Sequence, residues 1–345
     1  MDKNKQVGIW LLVGVGMLIV QVLLGGITRL TGSGLSITEW KPILGTLPPL
    51  TQAHWQAAFE MYQQKTGQFK YLNQDFTLSD FKFIYFWEWL HRNWARLISI
   101  VFLIPFFYFW YKKYFNAQIV SKLIALFLLG AAQGLIGWIM VKSGLNDDNL
   151  YVSHIRLAIH FVSALALISF TFWFALSLLV PKKEISFNPN IKKITITLII
   201  ILAIQLTYGA FMAGLKAATV APTWPFINGD LLPSTLFESS FIFNKINIHF
   251  VHRTLAFILL CLFIFWYLKV KNIHSYFMIN KYKTIPLILV SIQILLGIFT
   301  VLTSMQIARN GFGLFEYLAQ AHQLIAMFLL MSLILMLYLF KRKSI

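Results

Sequence analysis

The sequence has a single cysteine, Cys261, and few charges: 12% of its 345 residues, with 12 Asp and Glu against 29 Lys and Arg. One cysteine excludes an intrachain disulfide framework and any CxxC metal site. A soluble domain carries about 25% charged and roughly 45–50% apolar residues. Here the hydrophobic share is 58% and the mean hydropathy +0.71, which excludes a water-soluble globular enzyme. The net charge of +17 would suggest nucleic acid if the basic residues were clustered. They fall instead in short segments between apolar runs, where positive charge orients helices in a bilayer. Membrane lipid is therefore the expected surroundings, and no nucleic-acid partner is expected. The leading MDKNKQ is too short for a transit peptide, and the first apolar run is long enough to span.

Eight runs have the length of about 20 apolar residues that a membrane helix needs: 7–27, 83–110, 119–141, 152–179, 194–214, 247–270, 284–305 and 317–340. Backbone polar groups cannot stay unpaired in lipid, so each is expected to be a helix. The connecting segments alternate in charge. Sixteen Lys and Arg fall on the side of the termini and nine on the other, mostly in longer loops. Both termini are thus expected in the cytoplasm. Arg92, Arg96, Arg156 and Arg253 lie within spans.

The two halves of the chain resemble each other. A Gln-x-x-x-Gly pattern marks the odd-numbered spans: Gln21/Gly25, Gln133/Gly137, Gln205/Gly209 and Gln293/Gly297. Such residues ordinarily serve close helix packing and an interhelical hydrogen bond. His-Arg pairs occur at His91-Arg92 and His252-Arg253, and single histidines at His160 and His322. The separations agree, 69 residues from His91 to His160 and 70 from His252 to His322. The first outer loops also correspond, TEWKPILGTLPP (38–49) against PTWPFINGDLLP (222–233). Each unit has four spans, so both start from the same face. The expected fold is an all-α integral membrane protein of two parallel-repeat four-helix bundles, 1–188 and 189–345.

His91 comes out about eight residues into its span, or ~12 Å at 1.5 Å per residue. His160, His252 and His322 fall at nearly the same depth. Ionisable groups in a membrane mark function by default, and imidazole suits iron and other transition metals. A zinc or copper site would need three or four converging ligands. Two histidines on alternate helices of each half suit axial ligation of a planar macrocycle, that is, a haem in each four-helix unit. Arg92 and Arg253 could pair with haem propionates through two parallel hydrogen bonds, or reach lipid headgroups instead.

The halves differ in one informative place. Glu88 precedes His91 by three residues on the same helix face, and its counterpart in the second half is His249. Arg96 likewise matches Phe257. A buried carboxylate is costly unless paired or functional. Glu88 is read either as an ion-pair partner of Arg92 or as a proton acceptor or cation stabiliser beside a bound haem. In the second reading the N-terminal unit does chemistry and the C-terminal unit holds a haem.

The segments WEWLHR (87–92), GGITRLTGSGLSITEWKPILGTLPPL (25–50), HFVHRTLAF (249–257), NGDLLP (228–233) and AQAHQ (319–323) together resemble the haem A synthase family. The similarity covers nearly the whole chain and is greatest to the bacterial and mitochondrial form without a cysteine pair in its outer loops. It implies an oxidoreductase that converts haem O to haem A by two successive hydroxylations of a porphyrin methyl group, followed by dehydration to the formyl group. It implies a substrate haem on His91 and His160 with Glu88 as a catalytic carboxylate, and a cofactor haem b on His252 and His322. The product would serve a haem-copper terminal oxidase. Haem O synthase, the farnesyltransferase that makes the substrate, and oxidase assembly factors are the implied partners, and a homo-oligomer is compatible with the resemblance. The implied location is the bacterial cytoplasmic (inner) membrane.

Cys261 lies in a span and cannot replace the loop cysteines of other members. His154 and His249 are expected to be hydrogen-bonding neighbours of the four ligands; His54 and His274, in loops, have no assigned role. The first outer loop, 28–82, is expected to cover the N-terminal site, with short amphipathic helices around 51–64, and 215–246 to cap the other. Two other classes stay open from residues alone. A dihaem, quinone-linked electron carrier would need no carboxylate at Glu88. A transporter on a four-span repeat would favour helices broken by Pro and Gly.

Overall fold

The computed structural model describes residues 2–39, 44–145, 149–308 and 311–342. Trp40, Lys41, Arg309 and Lys343, used above in the loop and charge readings, lie outside these residues. Eleven α-helices are found among the described residues: α1 (Lys3–Leu30), α2 (Gln52–Lys65), α3 (Gly67–Leu72), α4 (Leu78–Tyr111), α5 (Ala117–Lys142), α6 (His154–Leu179), α7 (Pro189–Gly214), α8 (Lys245–Val270), α9 (Phe277–Tyr282), α10 (Ile285–Leu302) and α11 (Leu314–Leu339). Eight spans are long and apolar enough to cross a membrane, seven of them α1, α4, α5, α6, α7, α8 and α11, and the eighth running over Phe277–Leu302 through α9 and α10.

Polar residues start these helices where the apolar runs begin. Thr77 and Asp80 form a reciprocal capping box on α4. The side chains of Asn116, Ser153, Asn188 and Asn244 accept from the first free amides of α5, α6, α7 and α8. The seventh span differs from expectation. It was expected over 284–305, but α10 ends at Leu302 and the short α9 precedes it. Lys283, buried at the joint, donates Nζ to the carbonyls of Lys271 and Ile273, fastening α9 to the end of α8.

In the first half α1 packs on α4 and α6, and α5 on α6; in the second, α7 packs on α8 and α11, and α10 on α11. The halves meet where α6 packs on α7 and α11, and α1 on α11. The largest core cluster lies in the second half and this junction, around Leu198, Leu259, Phe263, Trp266 and Leu333. Trp266 spends its one donor on Thr195 Oγ1 at 2.8 Å. One seam breaks the parallel between halves: α8 packs on α10. Their counterparts α4 and α5 stand apart for most of their length and touch through Phe102 and Phe127, with ring centroids 6.5 Å apart.

Helix α2, at the position where an amphipathic helix was expected, packs with α3 on the first turns of α4 through Phe59, Tyr62, Phe69 and Phe81. His54 accordingly lies in the first turn of α2, not in a loop. Gln68 donates to the Gly32 carbonyl at 3.1 Å, which joins this aromatic layer to the end of α1.

Candidate functional site

All four span histidines line one cavity of about 1190 Å³ that runs through both halves, from the loop-bearing end down to Trp10 and Leu126. That exceeds the ~300–1,000 Å³ of ordinary small-molecule pockets. The Gln-x-x-x-Gly pattern, read from sequence as close packing with an interhelical hydrogen bond, does both, and the partner in each case is one of these rings. Gln21 Nε2 lies 3.2 Å from His91 Nδ1 and Gln133 Nε2 3.2 Å from His160 Nδ1. Gln205 Nε2 is 3.5 Å from His252 Nε2, and Gln293 Nε2 is 3.2 Å from His322 Nε2. The paired glycine, one turn on, leaves room for the same ring. A Cβ would stand 3.1 Å from His91 Cε1 at Gly25, 2.8 Å from His160 at Gly137, 3.2 Å from His252 at Gly209 and 3.0 Å from His322 at Gly297. Gln and Gly at this spacing thus form a repeated socket, and four sockets hold four imidazoles.

The rings of His252 and His322 have centroids 6.4 Å apart at 70°. Metal–imidazole bonds of about 2 Å on opposite sides of one ion put two centroids roughly 6 Å apart. His252 Nδ1 is buried without a partner, as are Oε1 of Gln21, Gln205 and Gln293. Among the described residues no three His, Cys, Asp or Glu side chains group to hold a bare ion. Paired imidazoles facing a large, mostly apolar cavity fit an iron porphyrin with two axial ligands.

Glu88 is 3% exposed and accepts three hydrogen bonds. Its Oε2 takes Ser36 Oγ at 2.7 Å and the Ile37 amide at 2.8 Å, and its Oε1 takes Arg92 Nη2 at 2.5 Å. The same Nη2 reaches the Ile37 carbonyl at 3.1 Å. The i, i+4 ion pair with Arg92 is therefore present, and it clamps the first loop over α4 while Glu88 still lines the cavity. Arg253 does similar work in the second half. Its Nη1 donates to Phe226 O at 3.3 Å, and its Nη2 to Ala221 O at 3.1 Å and Thr223 O at 2.8 Å. Both arginines, read from sequence as propionate or lipid partners and Arg92 also as the ion-pair partner of Glu88, hold the loops that roof the cavity.

His154 matches its expectation, with Nε2 2.9 Å from the Ile242 carbonyl. His249 does not. It is fully buried, lines the cavity, and neither ring nitrogen has a hydrogen-bond partner. Two cavity-lining residues escaped the sequence reading. Arg29, counted there as a loop charge, lies in the last turn of α1 with Nη1 3.4 Å from Ala213 O on α7. Glu316, 1% exposed, accepts the amides of Gly313 at 2.8 Å and Ala308 at 3.1 Å at the start of α11. A charge at the edge of a span was the one available signal for either.

Residues 8–334 match the COX15-CtaA family, described as cytochrome oxidase assembly protein. The chain is 41% identical over 341 residues to "Heme A synthase" of Flavobacterium johnsoniae, covering 96% of both chains. It is 41% identical over 345 residues to "Heme A synthase" of Flavobacterium psychrophilum, again covering 96% of both. With "Heme A synthase" of Nitrosospira multiformis it shares 39% identity over 307 residues, 87% of this chain and 86% of that one. With its histidine sockets inside eight apolar spans, the chain belongs to the COX15-CtaA family of cytochrome oxidase assembly proteins.

Proposed function

We propose that the protein is a haem A synthase, an oxidoreductase that takes the methyl group of haem O to the formyl group of haem A by two successive hydroxylations and a dehydration. The observation that carries this reading is the set of four Gln–Gly sockets, two per half, around one porphyrin-sized cavity with a buried carboxylate beside one pair. The chain is a multi-pass protein of the bacterial cytoplasmic membrane, with both termini cytoplasmic and two parallel four-helix units, 1–188 and 189–345. Residues 1–188 receive the substrate haem between His91 and His160, and residues 189–345 hold a resident haem b between His252 and His322.

The open seam of the first half supports that division. Along it Ser99, Gly130 and Gly134 line the cavity and are exposed, and a Cβ on either glycine would meet nothing within 4 Å. The positions in matching register in the second half are Leu260, Val290 and Ile294, which pack in the main core. A substrate with a long farnesyl chain needs a side entrance from lipid; a permanent cofactor needs a closed bundle.

In the first half Gln21 and Gln133 orient the two imidazoles, and Ser163 donates to Gln133 Oε1 at 2.6 Å to fix the second amide. Glu88, one turn from His91, is the group that takes up the proton or stabilises the positive charge generated when the methyl group is oxidised. The Ser36–Ile37 loop that it clamps keeps water from that end of the site. Haems held at these histidines would relay electrons for this four-electron oxidation, whose net oxidising equivalents come from an external electron acceptor or donor system. Haem O synthase and oxidase assembly factors are the partners at either end of the reaction.

The test is pigment extraction from a strain that makes haem O but no haem A, with and without this chain. Haem A is expected only with the chain; haem O accumulating unchanged beside the folded, haem-loaded protein would contradict the reading.

A further inference from the structure

His249 is a fully buried side chain that faces the cavity with no partner at Nδ1 or Nε2. Buried polar side chains nearly always find a hydrogen bond, so an orphan of this kind calls for a missing partner. It shares this deficit with the cavity-lining His252 Nδ1 and Gln205 Oε1, and not with its neighbour in sequence. Asn247, equally buried, donates to Thr235 O and Ser239 O at 3.0 Å and accepts from Thr235 Oγ1 at 2.8 Å. Nor does His249 hold the roof: Glu88, its counterpart, clamps the first loop, whereas in the second half Arg253 holds residues 221–226, with Trp224 stacked on Phe257. Three residues before His252, it lies on the same helix face, one turn nearer the loop-bearing end. It is therefore poised above the His252–His322 pair, where the rim of a macrocycle ligated by that pair would pass. A neutral imidazole has one N–H to donate, and a porphyrin offers carboxylates at its rim as acceptors.

We infer that His249 is a positioning residue for the porphyrin of the second half, its ring N–H donating to a rim carboxylate while His252 and His322 face the iron. This role rests on that half holding a haem, as proposed above.

The experiment uses the full-length protein in detergent, wild type and the variants His249→Phe and His249→Gln, each loaded with haem b or with haem b dimethyl ester. The readouts are the two-imidazole absorbance spectrum and the rate of haem transfer to apomyoglobin. With haem b, His249→Phe should keep the spectrum but lose haem at least about tenfold faster than wild type, the size of one hydrogen bond to a charged acceptor. His249→Gln, which retains a donor, should stay near wild type. In wild type the ester should be lost as fast as haem b is from His249→Phe, and the ester should erase the difference between the two proteins. The ester arm needs no variant, so it stands even if His249→Phe does not fold. Equal transfer rates for haem b and its ester in wild type, or for wild type and His249→Phe with haem b, would overturn the inference. A wild-type protein that binds no haem b would overturn the two-haem reading instead.

Discussion

A β-carbon on Gly137 would stand 2.8 Å from Cε1 of His160, closer than such contacts occur in proteins. At Gly297 the distance to His322 would be 3.0 Å and at Gly209 the distance to His252 3.2 Å, tight contacts that a small shift of the ring relieves. The glycines are therefore graded in how strictly they require a bare backbone. Gly137→Ala should displace His160, with an overpacking cost of about 1–3 kcal/mol, and stop haem O conversion while haem b stays bound. Gly209→Ala should be the mildest of the set. Pigment analysis of the purified variants checks the order; full haem A production by Gly137→Ala would contradict it.

The open seam gives a second expectation. Gly130→Val with Gly134→Ile installs the residues found at the matching positions Val290 and Ile294. Both glycines face open space, and Val or Ile within a helix is intrinsically better than glycine by roughly half a kcal/mol each. The double variant should be at least as stable as wild type and retain haem b. Conversion of haem O should fall by an order of magnitude or more. Unchanged conversion would mean that the farnesyl chain does not lie between α4 and α5.

Glu88 combines a charge with a clamp, and two substitutions separate them. Glu88→Gln keeps the shape and should keep the loop seated, with haem b bound and haem A lost. Glu88→Ala also releases Ser36 and Ile37 and leaves Arg92 without its carboxylate, and should lower stability by about 2 kcal/mol on top of the lost activity. Thermal unfolding in detergent with parallel haem extraction distinguishes them.

The aromatic layer over the first half should respond to alkali. Burial pushes the Tyr62 phenol up from 10.0 to about 12, against the lowering effect of its hydrogen bond with Asn73. The folded state favours the neutral phenol, so its contribution is complete below pH 10 and is lost as pH rises towards 12. Tyr62→Phe should flatten that loss, as followed by tyrosine absorbance and aromatic circular dichroism.

Much of the architecture was legible because lipid allows few solutions. Apolar runs of membrane length had to be helices. The paired histidines were legible from matched spacing. The sockets were not, because whether Gln133 meets a ring or a backbone depends on how α5 is rotated against α6. The seam was hidden for the same reason: nothing in the sequence says that α4 stands away from Gly130 and Gly134. His249 was misread because sequence places a side chain on a face without saying what lies opposite. Arg29 and Glu316 were passed over because charges at span ends usually meet water, and here they line the cavity.

The most direct test compares purified His91→Ala and His252→Ala with wild type by absorbance spectrum and extracted haem. Separate seats predict that His252→Ala loses haem b, and that His91→Ala keeps haem b with its two-imidazole spectrum yet makes no haem A. Haem b retained in His252→Ala, or lost in His91→Ala, would contradict the assignment of one haem to each half.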